Sequence, residues 1–248
     1  MTTKHPPAAV ILTRPESPEN IGLVARAMKN TGFSDLRLAG LRRLSRRAGR
    51  TAVHADDILG RARLFPDVAS AVADCGFVFA ATAKPRKDAV LLPFGDAVGK
   101  MRSLPRGTRL GFLFGNERTG LTSDELLHAN ALFTIPQAGR QPSYNLAAAV
   151  LLTLFALFAA GAPPSPEPRA RPLPRREQEA AIRLILEKLI AKGFIHGQNR
   201  FHVTVMIHDL FGRLAMTEKD RRLLLAIFTK GVDEKRPTDK GEDNDGRP

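Results

Sequence analysis

The chain has 248 residues, of which 43% are hydrophobic and 25% charged, an ordinary globular composition that excludes disorder along its whole length. Its 38 Lys and Arg residues outnumber 25 Asp and Glu residues, and the resulting formal charge of +13 favours a polyanionic partner, nucleic acid before a membrane surface. The single cysteine, Cys75, excludes an intramolecular disulfide bond and cannot build a zinc site alone, so we expect a reducing cytoplasm as its environment.

Over the first two thirds of the chain, short apolar runs alternate with helical patterns. The apolar runs are continuous, as in FVFAAT and LGFLF, which is typical of strands buried on both faces. We therefore predict an α/β fold, a parallel sheet with helices on both faces. Strands are predicted at residues 8–13, 35–39, 77–82, 110–114 and 132–135, and helices at residues 21–30, 53–62, 66–74 and 123–130.

Residues 146–162 form an uncharged, apolar stretch, and a membrane span is the alternative to a buried helix there. The stretch lies at the lower edge of the length that a spanning helix needs, and no basic or aromatic anchor directly flanks it. We therefore predict a helix buried in a protein core. The apolar run at residues 8–13 is likewise too short for the core of a signal peptide.

The composition changes after the first domain, which is predicted at residues 1–161. Prolines and arginines fill residues 162–176, which predicts a stiff, basic linker. Residues 177–231 are predicted to form a small all-α appendage, marginal alone and supported by packing or by dimerisation. Its helices are predicted at residues 177–192, 201–214 and 217–230. The mixed-charge tail at residues 232–248 is expected to be disordered.

A polar loop bracketed by glycines, residues 115–122, follows a predicted strand and precedes a predicted helix. Its glycine spacing is that of a phosphate-binding P-loop, but Leu121 stands where such a loop needs its lysine, so this chemistry is disfavoured. Open α/β sheets bind ligands at the carboxyl ends of their strands. The loop is therefore a candidate ligand site, with a tight turn of no further function as the alternative.

Two more segments carry polar residues next to predicted helices. Asn20 can cap the first helix, Gly22 lets another backbone approach it, and Arg26 lies further along it. By itself this segment is no more than a capped helix with a surface arginine. Residues 135–136 and 143–145 lead into the uncharged helix, and a cavity there would be rich in backbone donors and poor in charge. Such a cavity suits an uncharged ring such as adenine.

Other chemistry finds little support in the sequence. The histidines lack the spacing of metal ligands, and no carboxylate pair, nucleophile elbow or Cys/His dyad is recognisable. No metal site is expected.

Taken together, the three segments resemble the motifs of the SPOUT superfamily of RNA methyltransferases, in the SpoU and TrmH branch and closest to TrmJ-like tRNA methyltransferases. The stretches PENIGLVARAMKNTGF, GNERTGL and GRLAMTEKDRRLLLAI carry the resemblance. Tyr144 departs from the family pattern, in which leucine is usual. The matching positions are Asn20 and Arg26 in the first motif, Gly115, Glu117 and Gly120 in the second, and Ile135, Pro136, Ser143 and Asn145 in the third.

The resemblance implies a deep trefoil knot, which physical reasoning on the sequence would not propose because knots are nearly absent from protein folds. It also implies S-adenosylmethionine as methyl donor, an active site at a homodimer interface, and 2′-O-methylation of a tRNA ribose at nucleotide 32 of the anticodon loop. The implied donor-binding positions are Ala81, Thr82, Ala83, Gly115, Gly120, Ile135, Ser143, Tyr144 and Asn145. The implied catalytic positions are Arg26, Asn20, Glu117, Ser143 and Asn145.

The resemblance makes Arg26 the catalytic arginine, supplied to the donor site of the partner subunit. A guanidinium stays protonated near neutrality, so we interpret Arg26 as an anchor for a substrate phosphate rather than as a base, with that phosphate as a candidate proton acceptor. Two alternatives stay open, namely 2′-O-methylation of ribosomal RNA or of another tRNA position, and RNA binding without catalysis.

An arginine cluster between the second predicted strand and the following helix is a candidate RNA-binding surface. Its members are Arg42, Arg43, Arg46, Arg47 and Arg50. A solvated basic loop is the alternative, since runs of charge are often only solvated surface.

Overall fold

The strands of the computed structural model form one sheet in which every strand pairing is parallel. The structure describes residues 7–83, 91–138, 143–161 and 170–229. The strands are β1 (Ala8–Thr13), β2 (Asp35–Ala39), β3 (Arg63–Phe65), β4 (Phe77–Ala81), β5 (Leu91–Pro93), β6 (Leu110–Phe114) and β7 (Ala131–Thr134). Their order across the sheet is β3-β2-β1-β6-β4-β7-β5.

Helices connect the strands and follow the last one. They are α1 (Pro18–Thr31), α2 (Asp56–Gly60), α3 (Val68–Val72), α4 (Phe94–Ser103), α5 (Ser123–Leu126), α6 (Leu146–Ala159), α7 (Arg175–Ala191), α8 (Arg200–Gly212) and α9 (Glu218–Thr229), with a 3-10 helix over Arg46–Arg50. The alternation of strands and helices up to α6 confirms the predicted α/β class.

The residues of β1 are all buried, and they show how the sheet is covered on both faces. Successive side chains of a strand point to opposite faces. Val10 and Leu12 accordingly enter a core with residues of α1 and α6, whereas Ala9 and Ile11 enter a second core with α3. The continuous apolar pattern of the strands is the consequence.

The segment before α1 differs from its prediction in one respect that matters for the site. Ser17 caps the helix, and its Oγ accepts a hydrogen bond from the backbone N–H of Asn20 at 3.2 Å. The prediction that Asn20 caps this helix is wrong, because Asn20 lies inside the first turn. The expected close approach at Gly22 is confirmed, since a Cβ there would lie 2.1 Å from the carbonyl oxygen of Ala48 in the 3-10 helix.

Predicted strands agree with β1, β2, β4, β6 and β7 to within one residue at each end, whereas several helices differ. The helix predicted at residues 53–62 shortens to α2, because His54 has a φ of 63°, outside the helical region. The helix predicted at residues 66–74 begins after its cap, Asp67, and the one predicted at residues 123–130 ends at Leu126. The 3-10 helix, β3, β5 and α4 have no counterpart among the predicted elements.

The uncharged helix α6 is buried on one side only. Val150, Leu154 and Leu157 face the core, but Phe155 is 54% exposed, so the predicted burial holds for half of the helix. Further exposed apolar side chains on α6 are Leu151, Leu152 and Phe158. In the part of the chain that the structure describes, no helix is both long and apolar enough to cross a membrane.

The C-terminal helices α7, α8 and α9 share a small core of their own and dock on the sheet through buried polar groups. Gln178 donates to the carbonyl oxygens of Gly76 and Leu173, and Asn130 donates to the carbonyl oxygen of Gly212 at 2.7 Å. Arg175, predicted to lie in a linker, instead begins α7 and is buried. The helices are thus held by packing against the sheet.

Three predictions concern segments outside the described residues. The first two are most of the proline-rich linker, at residues 162–169, and the tail at residues 232–248. The third is the trefoil knot, because the path of the chain that would form it includes residues 84–90 and 139–142. These stay predictions.

Candidate functional site

A cavity of about 780 Å³ opens at the carboxyl ends of β4, β6 and β7. Because the strands are parallel, these ends meet at one edge of the sheet, where open α/β sheets bind ligands. The volume is typical of a small-molecule site. The lining includes the predicted donor-binding positions other than Asn145, namely Ala81, Thr82, Ala83, Gly115, Gly120, Ile135, Ser143 and Tyr144.

The glycine-bracketed loop closes on itself beside this cavity. A Cβ on Gly115 would lie 2.3 Å from the carbonyl carbon of Gly120 and 2.4 Å from the backbone nitrogen of Leu121, so no larger residue fits there. Gly120 has a φ of 68°, in the region that glycine adopts without strain. The backbone N–H of Gly120 donates to the carbonyl oxygen of Asn116 at 2.9 Å, which completes the closed turn.

The side chain of Asn116 fills the inside of this loop. Its Oδ1 accepts hydrogen bonds from the backbone N–H groups of Arg118 at 2.9 Å and Thr119 at 3.0 Å. Together with the N–H of Gly120, three consecutive backbone donors therefore point at Asn116. These N–H groups are therefore not free to bind a phosphate, which agrees with the expectation that this loop is not a P-loop.

Glu117 lies at the junction of two segments. Its carboxylate accepts hydrogen bonds from the backbone N–H groups of Glu16 at 2.9 Å and Ser17 at 3.2 Å, and from Nδ2 of Asn20 at 3.0 Å. Partial burial raises the pKa of Glu117, but these hydrogen bonds outweigh it and hold the pKa below its ordinary value. The carboxylate is therefore ionised at neutral pH and fixed in place.

Asn145 joins the third motif to the same cluster. Its Nδ2 donates to Oδ1 of Asn20 at 3.1 Å, while its Oδ1 caps α6 by accepting from the backbone N–H of Ala147 at 2.9 Å. A chain of hydrogen bonds thus runs from Glu117 through Asn20 to Asn145. The structure brings together the three motifs, but Asn20 and Asn145 do not themselves line the cavity.

Tyr144 forms part of the wall that follows β7. Its hydroxyl donates to the carbonyl oxygen of Pro136 at 2.9 Å, and the ring lines the cavity next to Ser143. The departure from the usual leucine therefore adds a polar link between the two ends of this loop.

Arg26 lies apart from the cavity of its own chain. It is exposed on α1, does not line the cavity, and its side chain makes no hydrogen bond or ion pair within the described residues. Leu23, three residues before it and on the same side of the helix, is also exposed. Within one chain, every predicted catalytic residue except Arg26 therefore lies at or next to the cavity.

The arginine cluster packs against the start of α1. Thr51, which follows the 3-10 helix, donates its hydroxyl to the carbonyl oxygen of Glu19 at 2.7 Å, and Arg47 pairs with the Glu19 carboxylate at 2.8 Å. Arg42, Arg43 and Arg46 are exposed and have no charged partner in the described segments. The basic surface thus adjoins the helix that carries Asn20 and Arg26.

Several lining residues are not individually predicted from the sequence, although all but Thr134 lie within the predicted loops. They are Asn116, Arg118, Thr119, Thr134 and Gln137. Asn116 could have been found, since a polar residue directly after a buried strand end and inside a glycine-bracketed loop is a natural loop organiser. Among the described residues, no group of three His, Cys, Asp or Glu side chains could hold a metal ion.

Comparisons with known proteins agree with this geometry. The family model described as the SpoU rRNA Methylase family matches residues 7–155. The tRNA (cytidine/uridine/adenosine-2′-O-)-methyltransferase TrmJ of Pseudomonas aeruginosa is 30% identical, over 89% of this chain and 92% of its own length. An uncharacterised tRNA/rRNA methyltransferase of Escherichia coli, LasT, is 34% identical, but the match spans 66% of its length and 60% of this chain. The crystal structure of TrmJ from Z. mobilis superposes with a TM-score of 0.78 at 31% identity, over 90% of this chain and 98% of the other.

Proposed function

The chain belongs to the SpoU rRNA methylase family, and from this premise we propose that it transfers a methyl group from S-adenosylmethionine to a ribose 2′-hydroxyl of tRNA. The proposed target is nucleotide 32 of the anticodon loop, and the proposed compartment is the cytoplasm. The observation that carries the proposal is the cavity at the carboxyl ends of β4, β6 and β7, with Glu117, Asn20 and Asn145 joining three motifs around it.

The substrate class is supported by relatives that match most of the chain. The Pseudomonas aeruginosa relative bears the name of a tRNA 2′-O-methyltransferase for cytidine, uridine and adenosine. That name places the methyl group on a ribose and includes nucleosides with three different bases. We infer that this chain, too, recognises its ribose through the RNA backbone and shape more than through the base edge.

The cavity suits S-adenosylmethionine on three counts. Its volume of about 780 Å³ accommodates a ligand of that size. The closed turn at Gly115 forms part of the cavity wall, and it leaves no room for a Cβ against the backbone of Gly120 and Leu121. Among the described residues, the lining is uncharged apart from Glu117 and Arg118, which suits the uncharged adenosine part of the donor.

The chain contributes positioning and electrostatics to the reaction. S-adenosylmethionine, when bound, supplies an electrophilic methyl group. Glu117 keeps the β6–α5 loop against α1, since its carboxylate oxygens are engaged by Glu16, Ser17 and Asn20. Those engagements and its low pKa make Glu117 a poor base. Arg26 holds a phosphate of the substrate and thereby presents the hydroxyl to the donor.

The proposed enzyme is a homodimer whose interface includes the exposed sides of α1 and α6, two helices that pack against each other within one chain. Leu151, Leu152, Phe155 and Phe158 form an exposed apolar strip on α6, and Leu23 is exposed on α1. Contiguous apolar surface of this kind marks a protein interface. A second copy that covers Leu23 also meets Arg26 on the same side of α1, so Arg26 would complete the site of its partner.

The arginine cluster beside α1 is the proposed RNA surface, and replacing Arg42, Arg43, Arg46 and Arg47 by alanine should weaken tRNA binding and flatten its dependence on salt. Each lost phosphate contact should reduce the slope of log K against log salt by about 0.7 to 0.9. Arg47→Ala should contribute least, because Glu19 already pairs with this arginine. Binding measured between low and moderate salt checks this, and an unchanged slope would make the cluster mere solvated surface.

Tyr144 offers a direct test of donor binding, because the chain has one tyrosine and no tryptophan. Titration with S-adenosylhomocysteine should change the tyrosine fluorescence in a saturable way. Tyr144→Phe should abolish the signal but, by calorimetry, weaken binding at most about tenfold, the value of one exposed hydrogen bond. Binding without a fluorescence change would place the donor elsewhere. No binding by folded, dimeric protein would remove the methyltransferase proposal.

A further inference from the structure

We propose that Asn116 is a positioning residue for the methyl-transfer reaction, tying the loop that carries Glu117 to the segment that precedes α1. The proposal rests on the proposed function and adds a residue that the sequence argument does not assign. Asn116 is 6% exposed and lies next to Glu117 in the chain.

One half of the Asn116 amide shapes its own loop. Oδ1 accepts from the backbone N–H groups of Arg118 and Thr119 and from the Thr119 hydroxyl at 3.2 Å. An oxygen acceptor is all that this half requires, so an aspartate would serve it equally well.

The other half of the amide reaches across to the chain segment after β1. Nδ2 donates to the carbonyl oxygen of Arg14 at 2.7 Å and to the carboxylate of Glu16 at 3.1 Å. Arg14 is itself fixed, since its guanidinium makes two hydrogen bonds of 2.9 Å to the carboxylate of Glu125. The tether therefore ends on an anchored segment rather than on a mobile one.

The hydrogen bonds of Glu117 depend on the distance between its loop and the segment before α1, which the side chain of Asn116 fixes. The carboxylate of Glu117 accepts from the N–H groups of Glu16, which Asn116 also contacts, and of Ser17, the next residue. If that distance increases, those hydrogen bonds lengthen and the carboxylate no longer braces Asn20. Small displacements of positioning groups are costly in catalysis, since about 1 Å can reduce a rate about a hundredfold.

Asn116→Asp keeps the acceptor half of the amide and replaces the donor half by a carboxylate oxygen, which also repels the carboxylate of Glu16 and so opens the same contact. The matched control is Asn130→Asp. Asn130 is also buried, its Oδ1 accepts from the backbone N–H of Val78, and its Nδ2 donates to the carbonyl oxygen of Gly212 and to the side-chain oxygen of Gln178. Both variants therefore lose a buried donor to a carbonyl oxygen, but Asn130 lies at the docking surface of the C-terminal helices.

Three readouts separate positioning from plain stability. In Asn116→Asp, kcat at saturating tRNA and donor should fall about tenfold or more, while the dissociation constant for S-adenosylhomocysteine changes less than about threefold. Native-state hydrogen exchange at the amides of Glu16 and Ser17 should accelerate about tenfold, because their acceptor has moved. Asn130→Asp should lower Tm similarly, with kcat and these two amides unchanged.

Equal losses of kcat in the two variants, or a normal kcat in Asn116→Asp, would overturn the proposal. Unchanged exchange at Glu16 and Ser17 would overturn it as well. If the wild-type protein transfers no methyl group, the proposed function fails, while the exchange comparison still decides whether Asn116 holds the two segments together.

Discussion

Arg26→Ala should reduce methyl transfer to tRNA by about a hundredfold or more while leaving the fold and S-adenosylhomocysteine binding nearly intact. Arg26 is exposed and unpaired within the described residues and does not line the cavity of its own chain. Its loss should therefore change the free energy of unfolding by no more than about 0.5 kcal/mol. Arg26→Lys should also be poor, because an ammonium keeps the charge but lacks the planar fork that fixes a phosphate.

Arg106→Ala is the matched control for this variant. Arg106 is likewise exposed, but it precedes β6 and so lies near the opposite edge of the sheet from the cavity. Single-turnover rates of methyl transfer, measured with donor and tRNA in excess, compare the two. Near-normal turnover by Arg26→Ala would remove Arg26 from the reaction.

Gly115→Ala should abolish donor binding, and with it methyl transfer. The added Cβ would meet the backbone of Gly120 and Leu121 at 2.3 and 2.4 Å, so the loop must open rather than shift a side chain. Overpacking of this kind costs about 1–3 kcal/mol and moves the cavity wall. Calorimetry with S-adenosylhomocysteine should register at least a hundredfold weaker binding, a loss of about 2.7 kcal/mol.

Gly99→Ala is the control, since a Cβ on Gly99 in α4 meets nothing within 4 Å. It should stabilise the protein by about 0.5–1 kcal/mol and leave donor binding unchanged. Wild-type affinity in Gly115→Ala would mean that the donor does not lie against this loop.

The two variants together test whether the site spans two subunits. In mixed dimers of an Arg26→Ala chain with a Gly115→Ala chain, one site combines an intact arginine with an intact cavity. Random mixing should therefore restore about a quarter of wild-type activity. A failure to complement, with heterodimers verified, would place the arginine and the donor cavity in the same subunit.

The sequence predicts the strands well because a continuous apolar run has few alternatives to a buried strand. β1, β2 and β6 match their predictions residue for residue. In α4, which is not predicted, Phe94, Ala97, Val98 and Met101 have helical spacing, so the sequence does carry a signal for that helix. The region around the 3-10 helix is basic and has no such periodicity, and its form depends on packing against Gly22.

The site is predicted in its parts but not in its connections. The lining loops at residues 115–122 and 135–145 follow from the local pattern, whereas residues 81–83 follow from the family resemblance alone. The partners of Asn20 follow from neither, because they lie 97 and 125 positions further along the chain, at Glu117 and Asn145. Sequence spacing within one helix instead favoured Asn20 as a cap, a role that Ser17 fills. Contacts between distant segments need the sheet order, which local pattern does not determine.

The central claim is methyl transfer to a tRNA ribose, and mapping 2′-O-methyl groups in tRNA tests it most directly. The purified protein should methylate unmodified tRNA in the presence of S-adenosylmethionine, with the new group at the 2′-hydroxyl of nucleotide 32, and cells that lack the protein should lose the same mark. A 2′-O-methyl group at another tRNA position or in ribosomal RNA would correct the substrate. A methyl group on a base, or no transfer by folded dimeric protein, would contradict the account.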